Sequence, residues 1–258
     1  MLFWPNLASA STQFDHSLWD GLLKRAVHPL QGGQASQVDY DLMAEYENEL
    51  DRYLASLSAV AEETFDSWSP KEQLAFLINA YNSWTVKLIL SKYPYLESIK
   101  DLGSLFRSPW KKSFIPLLGT QRSLDDIEHG LIRGSGRYHD YRIHFAVNCA
   151  SIGCPALRAE AYRGEVLDSQ LEEATRLFLQ DRGRNRLEAG KLEVSSIFKW
   201  YREDFEKGYR GIDSLEAFFL RYADVLQLAD TVRKRLQQKK LEIDFLDYDW
   251  RLNSISTE

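Results

Sequence analysis

Residues 69–94 read SPKEQLAFLINAYNSWTVKLILSKYP. Ser69 is a good helix cap, Pro70 suits the first helical position, and an acid follows at Glu72, so a helix starts here. Pro94 stops it near Tyr93. Apolar residues fall on almost every face of the stretch between, not on one stripe. A helix of that kind is central and buried, and the rest of the chain must pack around it.

Working outward, residues 41–60 carry Leu42, Met43, Tyr46, Leu50, Tyr53, Leu54 and Leu57 at helical spacing. A short helix is expected over 17–27, followed by a loop rich in Gly, Gln and Ser at 29–37. Residues 1–37 therefore read as an N-terminal segment with its first helix, and 38–258 as one domain. On the other side, 105–120 predicts a short strand or hairpin. Ser123 with Asp126 resembles a capping box and opens a short helix. RIHFAVN (142–148) reads as a buried strand, 165–180 as an amphipathic helix, and 186–194 as two strands around Gly190. Helices are expected over 195–205 and 214–238, and the tail EIDFLDYDWRLN alternates like a final strand. The sum is an α+β fold: a helix-rich single domain with a small β-sheet.

The 258 residues are 44% hydrophobic and 27% charged, with 13 Tyr, 13 Phe and 7 Trp to fill a core. A net charge of -6 argues against nucleic acid as a partner. No stretch reaches the roughly 18 apolar residues of a spanning helix, so no transmembrane segment is expected. LASAS (7–11) has the look of a signal-peptidase site, but no basic region precedes it. The start therefore has two readings: the remnant of an export signal on a periplasmic protein, or a ragged start on a cytoplasmic one. Cys149 and Cys154 alone are no disulfide framework, so they do not decide the compartment.

Polar groups of catalytic type gather in one stretch. Residues 125–158 hold three of the five His, both Cys, and Glu128, Ser151 and Arg158. Cys149 sits where an apolar element ends and a turn begins, a common place for a reactive residue. As a nucleophile it needs a base to form thiolate. His144 is the first candidate. On a strand, however, the two lie about 16 Å apart on opposite faces, so contact requires a sharp bend. His129 is an equal candidate, with Glu128 to orient the imidazole. Backbone N–H groups after Cys149, with Asn79, Asn82, Ser151 and Arg158, are candidates for holding substrate or an oxyanion. Asn79, Asn82 and Arg158 have an alternative role in structural pairing. The leading expectation is a cysteine-dependent hydrolase or acyl transferase acting on an amide or thioester of a small molecule or peptide, without a cofactor. The alternatives are a non-catalytic binding or scaffold domain, with a buried polar network and a partner groove lined by the aromatic residues around Trp110 and Trp200, and a zinc site built from Cys149, Cys154, His129 and His144.

The segments EQLAFLINAYNSWTV, SLDDIEHGLIR, RIHFAVNCASIGCPALRAEAY, SSIFKWYREDF and LDYDWRLN together resemble the domain of unknown function 547 family, from about Val38 to Asn253. The matching positions are Asn79, Tyr81 and Asn82; Glu128, His129 and Arg133; His144, Cys149, Ser151 and Pro155; and Trp200, Tyr201, Asp204 and Phe205. Leu77 departs from the aromatic often found there, which touches packing only. Some members lack a Cys at the place of Cys154, which speaks against a two-cysteine metal site or a required disulfide. The resemblance implies no activity. It implies frequent export among bacterial members and adds weight to a site at Glu128, His144 and Cys149.

Overall fold

A computed structural model describes residues 13–104 and 108–255. The LASAS segment lies outside the described residues. The central helix spans Pro70–Leu90, with the Ser69 side chain accepting from the Glu72 N–H. Every residue from Glu72 to Val86 is buried, as expected of a helix apolar on all sides. Around it pack the helices Ser17–Ala26, Tyr40–Glu45 and Glu47–Ser58, bringing Trp19, Tyr40, Leu50 and Tyr53 against Phe76 and Leu77 in one apolar cluster. The first helix is thus part of the same core as the residues beyond 38.

A second cluster forms from the later chain. Phe178, Phe198, Phe205 and Phe218 pack with ring centroids 5.0 to 6.3 Å apart. Each such side chain, fully buried, contributes about 1.5–3 kcal/mol. One face of this cluster is closed by a three-stranded sheet. Asn185–Glu188 and Lys191–Ser195 form the hairpin expected around Gly190, and Ile243–Leu246 adds in parallel to its second strand. Two small hairpins add further β-structure: Ile115–Leu117 with Thr120–Arg122, and Val27–Leu30 with Ala35–Val38. The architecture is α+β and rich in helix.

Several elements differ from expectation. The loop at 29–37 is a hairpin, with Gly32 and Gly33 at positive φ in its turn. The 41–60 helix is broken at Tyr46. The 214–238 helix is two, Leu215–Arg221 and Asp230–Gln237. The chain between these two turns, with Gln227 at φ 55°, so that Tyr222, Val225, Leu226 and Leu228 are all buried, more than one face of a straight helix could hide.

The largest correction is 142–148, which is not a strand. Residues Tyr141–Phe145 form a 3-10 helix, capped by Asp140, whose side chain accepts from the Arg142 N–H. The apolar residues that suggested a strand instead serve two cores. Tyr141 and Phe145 enter the second cluster, while Ile143, Ala146 and Val147 enter the first. The Arg142 guanidinium is buried beneath the turn and held by Asp140 at 2.6 Å and Asp168 at 2.7 Å. The segment is therefore a bolt between the two cores, which a pleated strand could not be.

Candidate functional site

The reciprocal cap expected at Ser123 is present. The Ser123 N–H donates to Asp126 at 2.8 Å, and the Asp126 N–H donates to the Ser123 hydroxyl at 3.0 Å. The cap opens into a wide π-helical turn, Asp126–Arg133. Such turns are rare and frequent at functional sites. This one buries Glu128 and leaves His129 exposed. The Glu128 carboxylate lies beside the hydroxyls of Tyr81 and Tyr201. Burial first, and the Glu128 charge second, push both phenols well above their usual range. Glu128 Oε1 is buried and has no hydrogen-bond partner among the described residues.

His144 is fully enclosed, and its Nε2 lies 2.8 Å from Asp204 Oδ2. Asp204 arrives from the helix Arg202–Phe205. The chain breaks at Tyr201 instead of running one helix through 195–205, and that break turns both Tyr201 and Asp204 toward His144. The Tyr201 ring stacks on the His144 imidazole at 3.9 Å. Burial tends to raise the Asp204 carboxyl, but hydrogen bonds from His144, Arg133 and Lys207 outweigh it and hold the group ionised, far below the usual carboxylate range. Burial lowers the His144 pKa despite the Asp204 and Glu128 charges. The imidazole is thus neutral, with its Nε2–H donating to the Asp204 carboxylate and its Nδ1 lone pair free. That Nδ1 is buried and unpartnered among the described residues. An imidazole oriented by a carboxylate through one nitrogen, with the other open, is the arrangement of a general base.

Asn148 shapes the next turn of the chain. Its Oδ1 accepts from the Ala150 N–H at 2.8 Å and its Nδ2 donates to the Pro155 carbonyl at 2.7 Å. Ala150 is held at φ 61°, a left-handed conformation rare for a residue with a Cβ. The fold brings the Cα atoms of Cys149 and Cys154 within 6.2 Å, and the two sulfurs are joined as a disulfide. The resemblance speaks only against a required disulfide, and the sequence reading treats Cys149 as a thiol; in the folded chain the two sulfurs are paired, and while paired neither can serve as a zinc thiolate. No group of three or more His, Cys, Asp or Glu suited to a metal ion occurs among the described residues.

The C-terminal tail clamps this loop. The N–H groups of Ile152 and Gly153 donate to the carbonyls of Arg251 and Asp249, each at 2.8 Å. Tyr248 reaches over the disulfide, its hydroxyl 3.3 Å from the Cys149 sulfur and 3.1 Å from that of Cys154. The Ser151 hydroxyl lies 3.3 Å from the Cys149 sulfur.

Glu128, His129, His144 and Cys149 line one cavity of about 220 Å³. The structure therefore collects all four residues proposed from sequence as chemically active. Their roles differ from expectation, however, because the carboxylate that orients His144 is Asp204, not Glu128. His129 is not a free base. Its Nδ1 accepts from Arg133, and its Nε2 lies 3.7 Å from Asp125.

The auxiliary residues fall elsewhere. Asn79 exchanges two hydrogen bonds with the backbone of Tyr162, at 2.7 and 3.0 Å. Asn82 donates to the Ala146 carbonyl and accepts from the Asn148 N–H, at 2.9 and 2.8 Å. Both amides are spent on positioning loops, and neither lines the cavity. Arg158 pairs with Glu160 and Glu173 beside a second, more apolar cavity of about 370 Å³.

Trp110 and Trp200, which the binding-domain reading gives to a partner groove, line this cavity, whereas Asp204, Tyr201, Tyr248 and Trp250 carry no role that the sequence alone assigns. The resemblance marks Trp200, Tyr201 and Asp204, and its closing segment contains Tyr248 and Trp250, but residues 50 to 100 places away in the chain give no local sign of meeting His144 or Cys149.

No curated protein and no solved structure matches this chain. The family model described as "Protein of unknown function, DUF547" matches residues 65–179, a narrower span than the motifs suggest. That span contains Asn79, Glu128, His144, Cys149 and Ser151, and it ends before Asp204 and Tyr248. Over residues 65–179, which include the bolt and the cysteine loop, the chain is similar to the DUF547 family of proteins of unknown function.

Proposed function

We propose that the protein is a cysteine-dependent hydrolase or acyl transferase whose nucleophile is stored as the Cys149–Cys154 disulfide. The observation that carries this reading is the buried, unpartnered Nδ1 of His144, oriented by Asp204, in a residue that lines the same cavity as Cys149. An external thiol reductant supplies two electrons and two protons, breaks the S–S bond and frees both thiols. His144 Nδ1 then takes the Cys149 proton as the sulfur attacks the carbonyl of an amide or thioester. The imidazolium, stabilised by Asp204, returns that proton to the leaving amine or thiol. Water, or a second nucleophile, releases the acyl group from sulfur. Tyr248 stays protonated, since burial pushes its phenol up, and donates toward the thiolate.

The test is alkylation of the reduced protein by iodoacetamide against pH, with Cys154→Ser isolating Cys149. The expected result is a thiolate formed well below the usual thiol value of about 8.5, with a rise toward that value in His144→Ala. An ordinary thiol titration that His144→Ala leaves unchanged overturns the reading. The disulfide itself favours a second reading, a non-catalytic binding domain, because it leaves no free cysteine among the described residues. That inert outcome is what it requires.

A further inference from the structure

Once Asp204 orients His144, the Glu128 carboxylate keeps only the Tyr81 and Tyr201 hydroxyls beside it. It is 4% exposed, it lines the cavity, and its Oε1 has no partner among the described residues. A buried carboxylate in that condition is costly unless something completes it. The nearest cation on the same turn does not. Arg133 donates to Asp204 at 2.5 Å and to His129. A second carboxylate, Asp125, lines the same space, and no Lys or Arg is among its described lining residues. The remaining walls are largely aromatic, including Trp110, Trp200 and Tyr248. Rings here already attract cations from outside. Lys100 sits 3.8 Å over Trp250, and Arg133 sits 4.9 Å over Tyr201. No Lys or Arg among the described residues occupies the faces of Trp110, Trp200 or Tyr248.

We infer that the cavity binds an organic cation, with an ammonium group against Glu128 and its carbon substituents against Trp110, Trp200 and Tyr248. That this cation belongs to the substrate rests on the hydrolase reading; that it binds does not. Paired carboxylate and aromatic faces select positive charge, since the rings attract a cation without offering hydrogen bonds and the carboxylate supplies the counter-charge. At about 30 Å³ per water, a 220 Å³ cavity takes a group of about seven water volumes, the scale of an alkylammonium and not of a folded partner.

The experiment is calorimetric titration of the oxidised protein with choline, with n-butylammonium, and with 3,3-dimethylbutan-1-ol, the neutral isostere of choline. At least one cation binds, and the neutral isostere binds about tenfold weaker or not at all. Glu128→Gln loses about tenfold for the cation and leaves the neutral compound unchanged. Binding by choline alone identifies a quaternary headgroup, and binding by butylammonium alone a primary amine; both support the inference. Equal affinity for charged and neutral compounds, or no binding by either cation, overturns it. Should Glu128→Gln fail to fold, the wild-type comparison still decides. Because the disulfide stays closed throughout, failure here leaves the alkylation result standing, and an inert Cys149 thiol leaves cation binding standing.

Discussion

Asp204 accepts hydrogen bonds from His144 and Arg133 on one oxygen and from Lys207 on the other. Its net effect is to hold the imidazole while pairing with the Arg133 guanidinium. Asp204→Asn is expected to cost about 3 kcal/mol near neutral pH, because it leaves cationic partners unmatched in a poorly hydrated place. The sign with pH comes from the depressed carboxyl. Its contribution is present above the unfolded value near 4 and is lost as pH falls, so wild type and variant converge in acid. Urea unfolding at pH 7 and pH 2.5 measures both; a gap that does not narrow would contradict the assignment. The variant should also slow Cys149 alkylation at pH 6.5 after reduction. Legibility at this scale was uneven. Glu128, His144 and Cys149 could be found because polar groups interrupting apolar residues stand out locally. Asp204 could not, because an acid in REDF looks like any helix surface acid until the fold delivers it to a histidine 60 positions earlier.

The cysteine loop is held as a unit by Asn148 within, by Asn82 from the central helix, and by the tail from outside. Asn82→Ala strands the Asn148 N–H and the Ala146 carbonyl, both buried, and is expected to cost about 2–4 kcal/mol in denaturant unfolding. A loss under about 0.5 kcal/mol would show that the clamp is dispensable. Gly153 marks a closer constraint. A Cβ there would lie 2.9 Å from Tyr248 Cε1 and 3.0 Å from the Asp249 carbonyl oxygen. The tail backbone cannot yield as a flexible side chain could, so Gly153→Ala should destabilise by about 1–3 kcal/mol and loosen Tyr248 from the sulfurs. Thermal unfolding, with the rate at which dithiothreitol opens the disulfide, reads both effects. Ala150 points the opposite way. Held at φ 61°, it should accept glycine with little loss.

At the scale of the molecule, two apolar clusters meet along the bolt of residues 141–147, and the cavity opens at that seam. Tyr81 and Val147 belong to the first cluster, while Ile197 belongs to the second and Tyr201 and Tyr248 pack against it. Ligand sites favour such junctions, since side chains from both bodies converge there. Buried histidines tie the stability of the whole to pH. His16, with Nδ1 2.7 Å from the Tyr53 hydroxyl, is lowered to about 4 by burial, and His144 is lowered too. The folded protein keeps these rings neutral while the unfolded chain protonates them near pH 6.5. Stability therefore falls as pH drops from about 6.5, and the His16 part levels off below about 4. That part amounts to about 3 kcal/mol, from 1.36 kcal/mol per pKa unit. His16→Gln should flatten the melting temperature between pH 6.5 and 4 relative to wild type; parallel curves would contradict it.

The buried helix at 70–90, the Ser69 and Ser123 caps and the hairpin at Gly190 were determined by the sequence alone, because capping, turn chemistry and hydrophobic spacing act over a few neighbouring residues. The stretch carrying Glu128, His144 and Cys149 was legible for the same reason. Only the tertiary structure decided that 142–148 is a 3-10 bolt and that Cys149 closes on Cys154. It alone decided that Asp204 orients His144 and that Tyr248 covers the sulfurs. Those outcomes turn on which distant side chains arrive at a point in space. The bolt shows why local reading fails there. Two cores, each burying alternate parts of one short segment, produce the same run of apolar residues that a strand would.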